Sequence, residues 1–210
     1  VLSPNGIIID QGAVLSTPEF SRGMFTVQST SSLRCIELLN PKPGDKVLDI
    51  CAAPGGKTTA MAEFMRDSGE ILASDIHEHR VKLIRELSSR LELSCIDAIT
   101  MDASILDEDM KERFDKVLAD VPCSGLGVIA GKPELKLRVN LNEFPGLYQL
   151  QYKILENAFL YLKPGGYLVY STCTINEREN EQIVSRLCDT FENACIVEYN
   201  SILPYNKQVG

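Results

Sequence analysis

Cys123 stands in Asp120-Val121-Pro122-Cys123-Ser124-Gly125 and Cys173 in Ser171-Thr172-Cys173-Thr174, each just past a run that reads as a β-strand. A thiolate is a strong nucleophile, and two thiols at one sheet edge suit covalent chemistry better than packing. Helix N-terminal N–H groups after Thr174 would favour the thiolate of Cys173. A buried cysteine acting as a small hydrophobe is the competing account for each. That packing role is the one expected for the thiols of Cys35, Cys51, Cys95, Cys188 and Cys195.

A second constellation is Asp49-Ile50-Cys51-Ala52-Ala53-Pro54-Gly55-Gly56-Lys57-Thr58, glycine-rich and placed between a strand and a helix. Such glycines let the backbone approach a ligand, and the helix N-terminus presents free N–H groups. Three cofactor readings compete. The dinucleotide fingerprint G-x-G-x-x-G is absent. Gly56-Lys57-Thr58 ends like a phosphate-binding P-loop, with Val117-Leu118-Ala119-Asp120 as a candidate magnesium-binding strand, but Cys51 occupies the position of the required first glycine. The third reading is an S-adenosylmethionine loop, with Asp75 at the next strand end accepting from ribose hydroxyls. Asp75 and Asp102 also suit helix N-caps, and Asp75 with Glu78 has capping-box character.

The surrounding pattern is a strand–helix alternation. Residues 1–40 read as a short hairpin or extended arm, including Ile7–Ile9, followed by a helix near Ser31–Leu39. Strands are expected at Lys46–Cys51, Glu70–Asp75, Leu93–Ala98, Phe114–Val121, Tyr167–Ser171 and Ala194–Tyr199. Helices are expected at Thr58–Arg66, His77–Leu91, Leu147–Leu162 and, from a Thr174/Glu177 capping box, on to about Leu187. Lys163-Pro164-Gly165-Gly166 reads as a turn. The alternation implies an α/β fold with a doubly wound, mostly parallel sheet. Ligands of such sheets bind beyond the carboxyl ends of the strands, where all the residues above fall.

The chain has 210 residues, enough for one domain with a sizeable core. Its net charge of −8 argues against a free-standing polyanion binder, although Lys132, Lys136 and Arg138 form a local basic patch. Any strong grip on nucleic acid would need a second module. Seven cysteines without a CxxC pair suit a reducing, cytoplasmic compartment, and neither zinc nor any other metal is expected. No apolar run approaches the ~20 residues of a membrane helix.

Together the motifs resemble the RsmB/Sun (Fmu) family of RNA cytosine-5 methyltransferases. The matching pieces are Phe25-Thr-Val-Gln28, Val47 to Lys57, Asp120 to Gly127, Tyr170-Ser-Thr-Cys-Thr174 and Glu179-Asn180-Glu181. The resemblance implies a Rossmann-like class I methyltransferase fold. Its arm and helix (1–40) would pack on an S-adenosylmethionine-binding catalytic domain (41–210), acting as a cytoplasmic monomer on small-subunit ribosomal RNA. It also implies roles. Cys173 attacks cytosine C6, Cys123 assists breakdown of the adduct, Asp120 holds the base, and Lys57 lies near the reacting ring. Cys51, Ala52, Ala53, Pro54, Gly55, Gly56, Lys57, Asp75, Arg80, Asp102 and Asp120 would hold S-adenosylmethionine.

Three departures from the family pattern matter. Ala130 and Gly131 stand where many members carry two arginines, and Ser29 and Thr30 replace an acidic pair. The family's N-terminal RNA-binding region and closing antiparallel strand have no counterpart in these residues. This implies either a fragment or a sheet without its last antiparallel strand. The departures also motivate an alternative, a non-catalytic RNA- or ribosome-associated domain that keeps the fold. The intact cysteine pair argues against that alternative.

Overall fold

The computed structural model describes residues 13–129 and 141–198. Five strands make one sheet: β1 (Lys46–Asp49), β2 (Glu70–Asp75), β3 (Ile96–Thr100), β4 (Phe114–Asp120) and β5 (Leu162–Ser171). Their spatial order is β3-β2-β1-β4-β5, and every pairing is parallel. The helices are α1 (Pro18–Ser21), α2 (Thr30–Leu39), α3 (Gly56–Phe64), α4 (Glu78–Arg90), α5 (Phe144–Tyr161) and α6 (Glu181–Thr190).

Strands covered on both faces bury consecutive residues, as Val47 and Leu48 of β1 and Val117, Leu118 and Ala119 of β4 are buried. On one face Leu48, Ile50, Val117 and Ala119 pack with Ile154, Ala158 and Tyr161 of α5. On the other, Val47, Ile71 and Leu118 pack with Ile36 and Leu39 of α2 and Met61 of α3. Val81 and Ile84 of α4 cover Ala73 and Ala98, while Ile183 and Leu187 of α6 close over Tyr152 and Leu155 of α5. Strand succession reverses between β1 and β4, so the loops leaving these two strands part and open a crevice.

Several expected boundaries move, for identifiable reasons. The third strand begins at Ile96, not Leu93, because Asp67 accepts from the backbone N–H groups of Ser94 and Cys95. The fifth begins at Leu162, with the expected turn inside it: Phe114 pairs with Leu162 and Lys116 with Tyr167, so residues 163–166 bulge opposite Asp115. Helix α5 starts at Phe144, three residues early, with Pro145 in its first turn, where the missing N–H costs nothing. The Thr174/Glu177 capping box does not form. Thr174 Oγ1 accepts from Asn176 N–H, Asn176 caps a single 3-10 turn at Glu177–Glu179, and α6 starts only at Glu181.

Residues 194–198 form no strand; Ala194 N–H donates to Phe191 O in a turn, and Ile196 and Val197 stay exposed. The expected N-terminal hairpin with Ile7–Ile9, the basic patch at Lys132, Lys136 and Arg138, and Ala130 and Gly131 lie outside the described residues. Among the described residues no helix is long and apolar enough to cross a membrane.

Ser29, one of the two residues replacing an acidic pair, has a local task. It is the N-cap of α2, and its hydroxyl accepts from Ser32 N–H at 3.1 Å. Ser29→Ala should cost about 1 kcal/mol of unfolding free energy, read from urea midpoints, whereas Ser29→Asp, also a good cap, should be nearly neutral. Equal losses from both would show that the cap contributes nothing.

Candidate active site

The site is assembled by one register. Asp120, the last residue of β4, pairs with Ser171, the last of β5, and Val121 N–H donates to Ser171 O at 3.1 Å. The next few residues of each strand carry a cysteine. Cys123 Sγ and Cys173 Sγ lie 3.2 Å apart, and the backbone N–H of Cys173 also donates to Cys123 Sγ at 3.2 Å. Cys173 is exposed and Cys123 half-buried. The thiol of Cys123 is driven far above its usual range, first by its hydrogen bond with Cys173 and then by burial. Gly127 completes this wall. Its N–H donates to Cys173 O, and a Cβ there would meet that oxygen at 2.8 Å.

Beside the thiols sits an ion pair. Lys57 Nζ donates to Asp120 Oδ2 at 2.6 Å, and the Ser171 hydroxyl donates to Asp120 Oδ1 at 2.6 Å. Burial works against the Lys57 charge, but Asp120 outweighs it and holds the ammonium above the ordinary lysine range. Lys57 is therefore a fixed cation at neutral pH.

The glycine-rich loop runs from β1 into α3. Gly55 caps α3 at φ +102°, and a Cβ would approach Ile84 Cα to 3.2 Å, so both its dihedral and its closeness to α4 demand glycine. The loop walls a cavity of about 300 Å³ that also touches Gln28, Asp49, Lys57 and Asp120. Two buried polar atoms on this cavity lack a hydrogen-bond partner: Gln28 Nε2, a donor, and Asp49 Oδ1, an acceptor. Asp49 Oδ2 accepts from the Thr58 hydroxyl at 2.7 Å. Burial nevertheless pushes the Asp49 carboxyl up to about 7, the Thr58 hydrogen bond opposing it and the Asp120 charge adding to it.

Of the residues singled out in the sequence, Cys51, Ala52, Ala53, Pro54, Gly56, Lys57 and Asp120 line this one cavity. Asp75 does not. Its carboxylate pairs with Arg80 at 3.2 Å and accepts from His77 N–H, while Arg80 also donates to Ala53 O at 2.9 Å. The expected Asp75/Glu78 capping box is thus replaced by a short turn around Asp75. Asp102 is outside the cavity too and accepts from the N–H and hydroxyl of Ser104. The helix expected directly after Thr174 starts eight residues after Cys173 instead, at Glu181.

Three contributors had no site role assigned from the sequence. Gln28 and Thr26 come from the arm before α2, where no periodicity marks them, and reach the cavity because the arm crosses the loop. Cys35, expected to be packing, is half-buried, and burial raises its thiol while the charges of Lys57 and Asp120 act on it. Only the three-dimensional closure of α2 onto β5 could reveal it.

Comparison with known proteins follows the same lines. The family model described as 16S rRNA methyltransferase RsmB/F matches residues 36–210. "Probable ribosomal RNA small subunit methyltransferase B" of Bacillus subtilis is 40% identical over 184 residues, which is 87% of this chain and 41% of that protein. Ribosomal RNA small subunit methyltransferase B of Yersinia enterocolitica is 37% identical over 202 residues, covering 96% and 47%. The chain thus spans less than half the length of these curated relatives. A methyltransferase homolog protein from Pyrococcus horikoshii superposes with a TM-score of 0.76 at 38% identity, over 86% of this chain and 56% of that one. NSun6 from Pyrococcus horikoshii, solved with SFG, gives 0.78 at 34% identity, over 86% and 46%.

The Asp49 carboxyl makes a pH prediction. Its folded pKa, about 7, exceeds its ordinary value of 3.8, so the native state holds the extra proton between these limits. Its contribution to stability is full below pH 4, falls as pH rises to about 7, and is flat above. The advantage of Asp49→Asn over the parent should therefore grow across that window, by at most ~1.4 kcal/mol per pH unit, in urea unfolding at pH 5, 6, 7 and 8. A pH-independent difference would contradict the assignment.

Proposed function

The chain belongs to the 16S rRNA methyltransferase RsmB/F family, whose cofactor is S-adenosylmethionine, and we propose that it methylates C5 of a cytosine in small-subunit ribosomal RNA through a covalent bond to Cys173. The observation carrying this reading is the 3.2 Å contact between Cys123 and Cys173, beside the Lys57–Asp120 pair.

The cavity residues fit the cofactor. An orphaned donor on Gln28 and an orphaned acceptor on Asp49 suit the carboxylate and ammonium ends of an amino acid group, and the loop at Cys51–Lys57 offers backbone groups between them. NSun6, the relative solved with SFG, an S-adenosylmethionine analogue, adds support. Asp75, braced by Arg80, and Asp102 would hold the nucleoside part. When bound, the cofactor supplies an electrophilic methyl group on sulfonium.

Cytosine C5 is a poor nucleophile until something adds to C6, and covalent catalysis divides that hard step. Cys173, the exposed thiol, adds its sulfur to C6 as its own proton passes to N3, leaving C5 enamine-like. Asp120 accepts from the protonated N3 and the N4 amino group, and Lys57 balances its charge. C5 then forms a bond to the methyl carbon as the carbon–sulfonium bond breaks. In release, C5 gives up its proton, the C5–C6 double bond re-forms, and the sulfur of Cys173 leaves as thiolate and takes back the proton on N3. The target base must be unstacked to reach this pocket.

Cys123 changes character during this cycle. Its thiol is held protonated chiefly by Cys173. Once Cys173 is a neutral thioether, that influence disappears, and Cys123 can lose its proton to solvent and accept the one on C5. One neighbour thus keeps it an acid before addition and frees it as a base afterwards.

The test uses unmodified small-subunit ribosomal RNA and methyl-labelled cofactor. Cys173→Ala should lower labelling at cytosine C5 by about 10³-fold or more and leave no protein–RNA adduct. Cys123→Ala should accumulate an adduct band under denaturing conditions. Exchanged behaviour of the two variants would invert the roles, and cofactor binding without any label in the parent would support a non-catalytic domain.

A further inference from the structure

Glu179-Asn180 takes no part in the chemistry above, yet Glu179 is fully buried. Its carboxylate accepts from Ser124 N–H at 2.8 Å, the Ser124 hydroxyl at 2.6 Å, Gln151 Nε2 at 3.0 Å, Asn176 Nδ2 at 3.0 Å and the Thr174 hydroxyl at 3.3 Å. Burial opposes its ionisation, but the donors from Ser124, Gln151 and Asn176 outweigh it, and the carboxyl lies below its usual range. Glu179 is therefore a buried anion saturated by donors from separate segments.

Those donors are not arbitrary. Ser124 follows Cys123, and Gln151 donates to the carbonyl of Pro122, which precedes it. Thr174 follows Cys173, and Ser124 Oγ and Thr174 Oγ1 also share a hydrogen bond at 2.9 Å. Asn180 holds the other flank, accepting from the Thr172 hydroxyl at 2.6 Å and donating to Thr174 O at 3.1 Å. The residues on both sides of each cysteine thus converge on two adjacent side chains at the entry to α6. Nothing else among the described residues ties the Cys123 and Cys173 loops so densely.

We propose that Glu179 is a positioning residue for methyl transfer: it ties the segments flanking Cys123 and Cys173 to one buried anion and thereby sets the separation of the two thiols. The inference rests on the covalent reading above, but its test needs no RNA.

The full chain is equilibrated in mixtures of oxidised and reduced glutathione. Closing the Cys123–Cys173 pair forms one Sγ–Sγ bond, and the two electrons and two protons released convert one oxidised glutathione into two thiols. Peptide mapping by mass spectrometry reads the bridged fraction, hence the effective concentration of one thiol at the other. Glu179→Ala should lower it about tenfold or more, and Glu179→Gln, which keeps the size and one acceptor oxygen, by about threefold.

S-adenosylmethionine affinity, measured in parallel, should change less than about twofold, because Glu179 is outside the cavity residues. A merely stabilising residue would lower the unfolding midpoint without changing this native-state quantity. An unchanged effective concentration in folded Glu179→Ala, or in Glu179→Gln should the alanine variant not fold, overturns the proposal. The expected fall in a parent chain that methylates no cytosine would support the brace and refute the covalent reading instead.

Discussion

The parallel pairing of β4 with β5 sets Asp120 opposite Ser171, and the rest of the site follows from that register. The strands come from distant parts of the chain, joined through α5, which must cross the sheet and bury Ile154, Ala158 and Tyr161 before β5 can dock. A one-residue slip would exchange the faces of every side chain on β5 and drive Val169 and Leu168 to opposite sides of the core. The hydrophobic pattern thus protects the register, and the register delivers Ser171 to Asp120 and Cys173 to Cys123. The geometry of the candidate site is a by-product of core packing, made at the strand ends where packing stops.

Charge burial is the opposing constraint. Asp49, Lys57, Asp120 and Glu179 are all wholly or largely removed from solvent at one sheet edge, and each is resolved differently. Lys57 and Asp120 neutralise each other at contact distance. Glu179 is stabilised by neutral donors alone. Asp49 has a single hydroxyl donor and an orphaned oxygen, and it accordingly carries a raised pKa. An incompletely satisfied carboxyl facing a cavity destabilises the empty fold and favours a ligand with a positive group. The same edge that positions the chemistry is therefore the least self-sufficient part of the molecule.

Much of the fold was legible because its signals are local. Strand–helix alternation implied the parallel sheet, and the sheet found is parallel throughout. What failed was competition between local hydrogen bonds. Asp67 captured the N–H groups that would have begun β3 early, and Thr174 started a turn where a capped helix was expected. The apolar pattern at 194–198 was overridden by a local turn, in which Ala194 N–H donates to Phe191 O. At the site, Cys123, Cys173, Asp120 and Lys57 were each visible through a motif, and the fold brings all four together. Asp75 and Asp102 were visible as strand-end acids with helix N-caps as the alternative; here both accept from N–H groups two residues on, in short turns. The motif pieces holding Gln28 and Glu179 were visible, but their tasks stayed hidden, because a residue in an arm, or a buried acid before a helix, has meaning only through partners far away in sequence.

The central claim is that Cys173 forms the bond to the base while Cys123 does not. The most direct test replaces cytidine with 5-fluorocytidine in the small-subunit ribosomal RNA. Fluorine cannot leave C5 as a proton does, so the parent protein should stall as an adduct in the presence of S-adenosylmethionine. Digestion and mass spectrometry should then find the modified nucleotide on the peptide containing Cys173. The same nucleotide on the peptide containing Cys123, or methylation of ordinary RNA with no trapped adduct on either, would contradict the account.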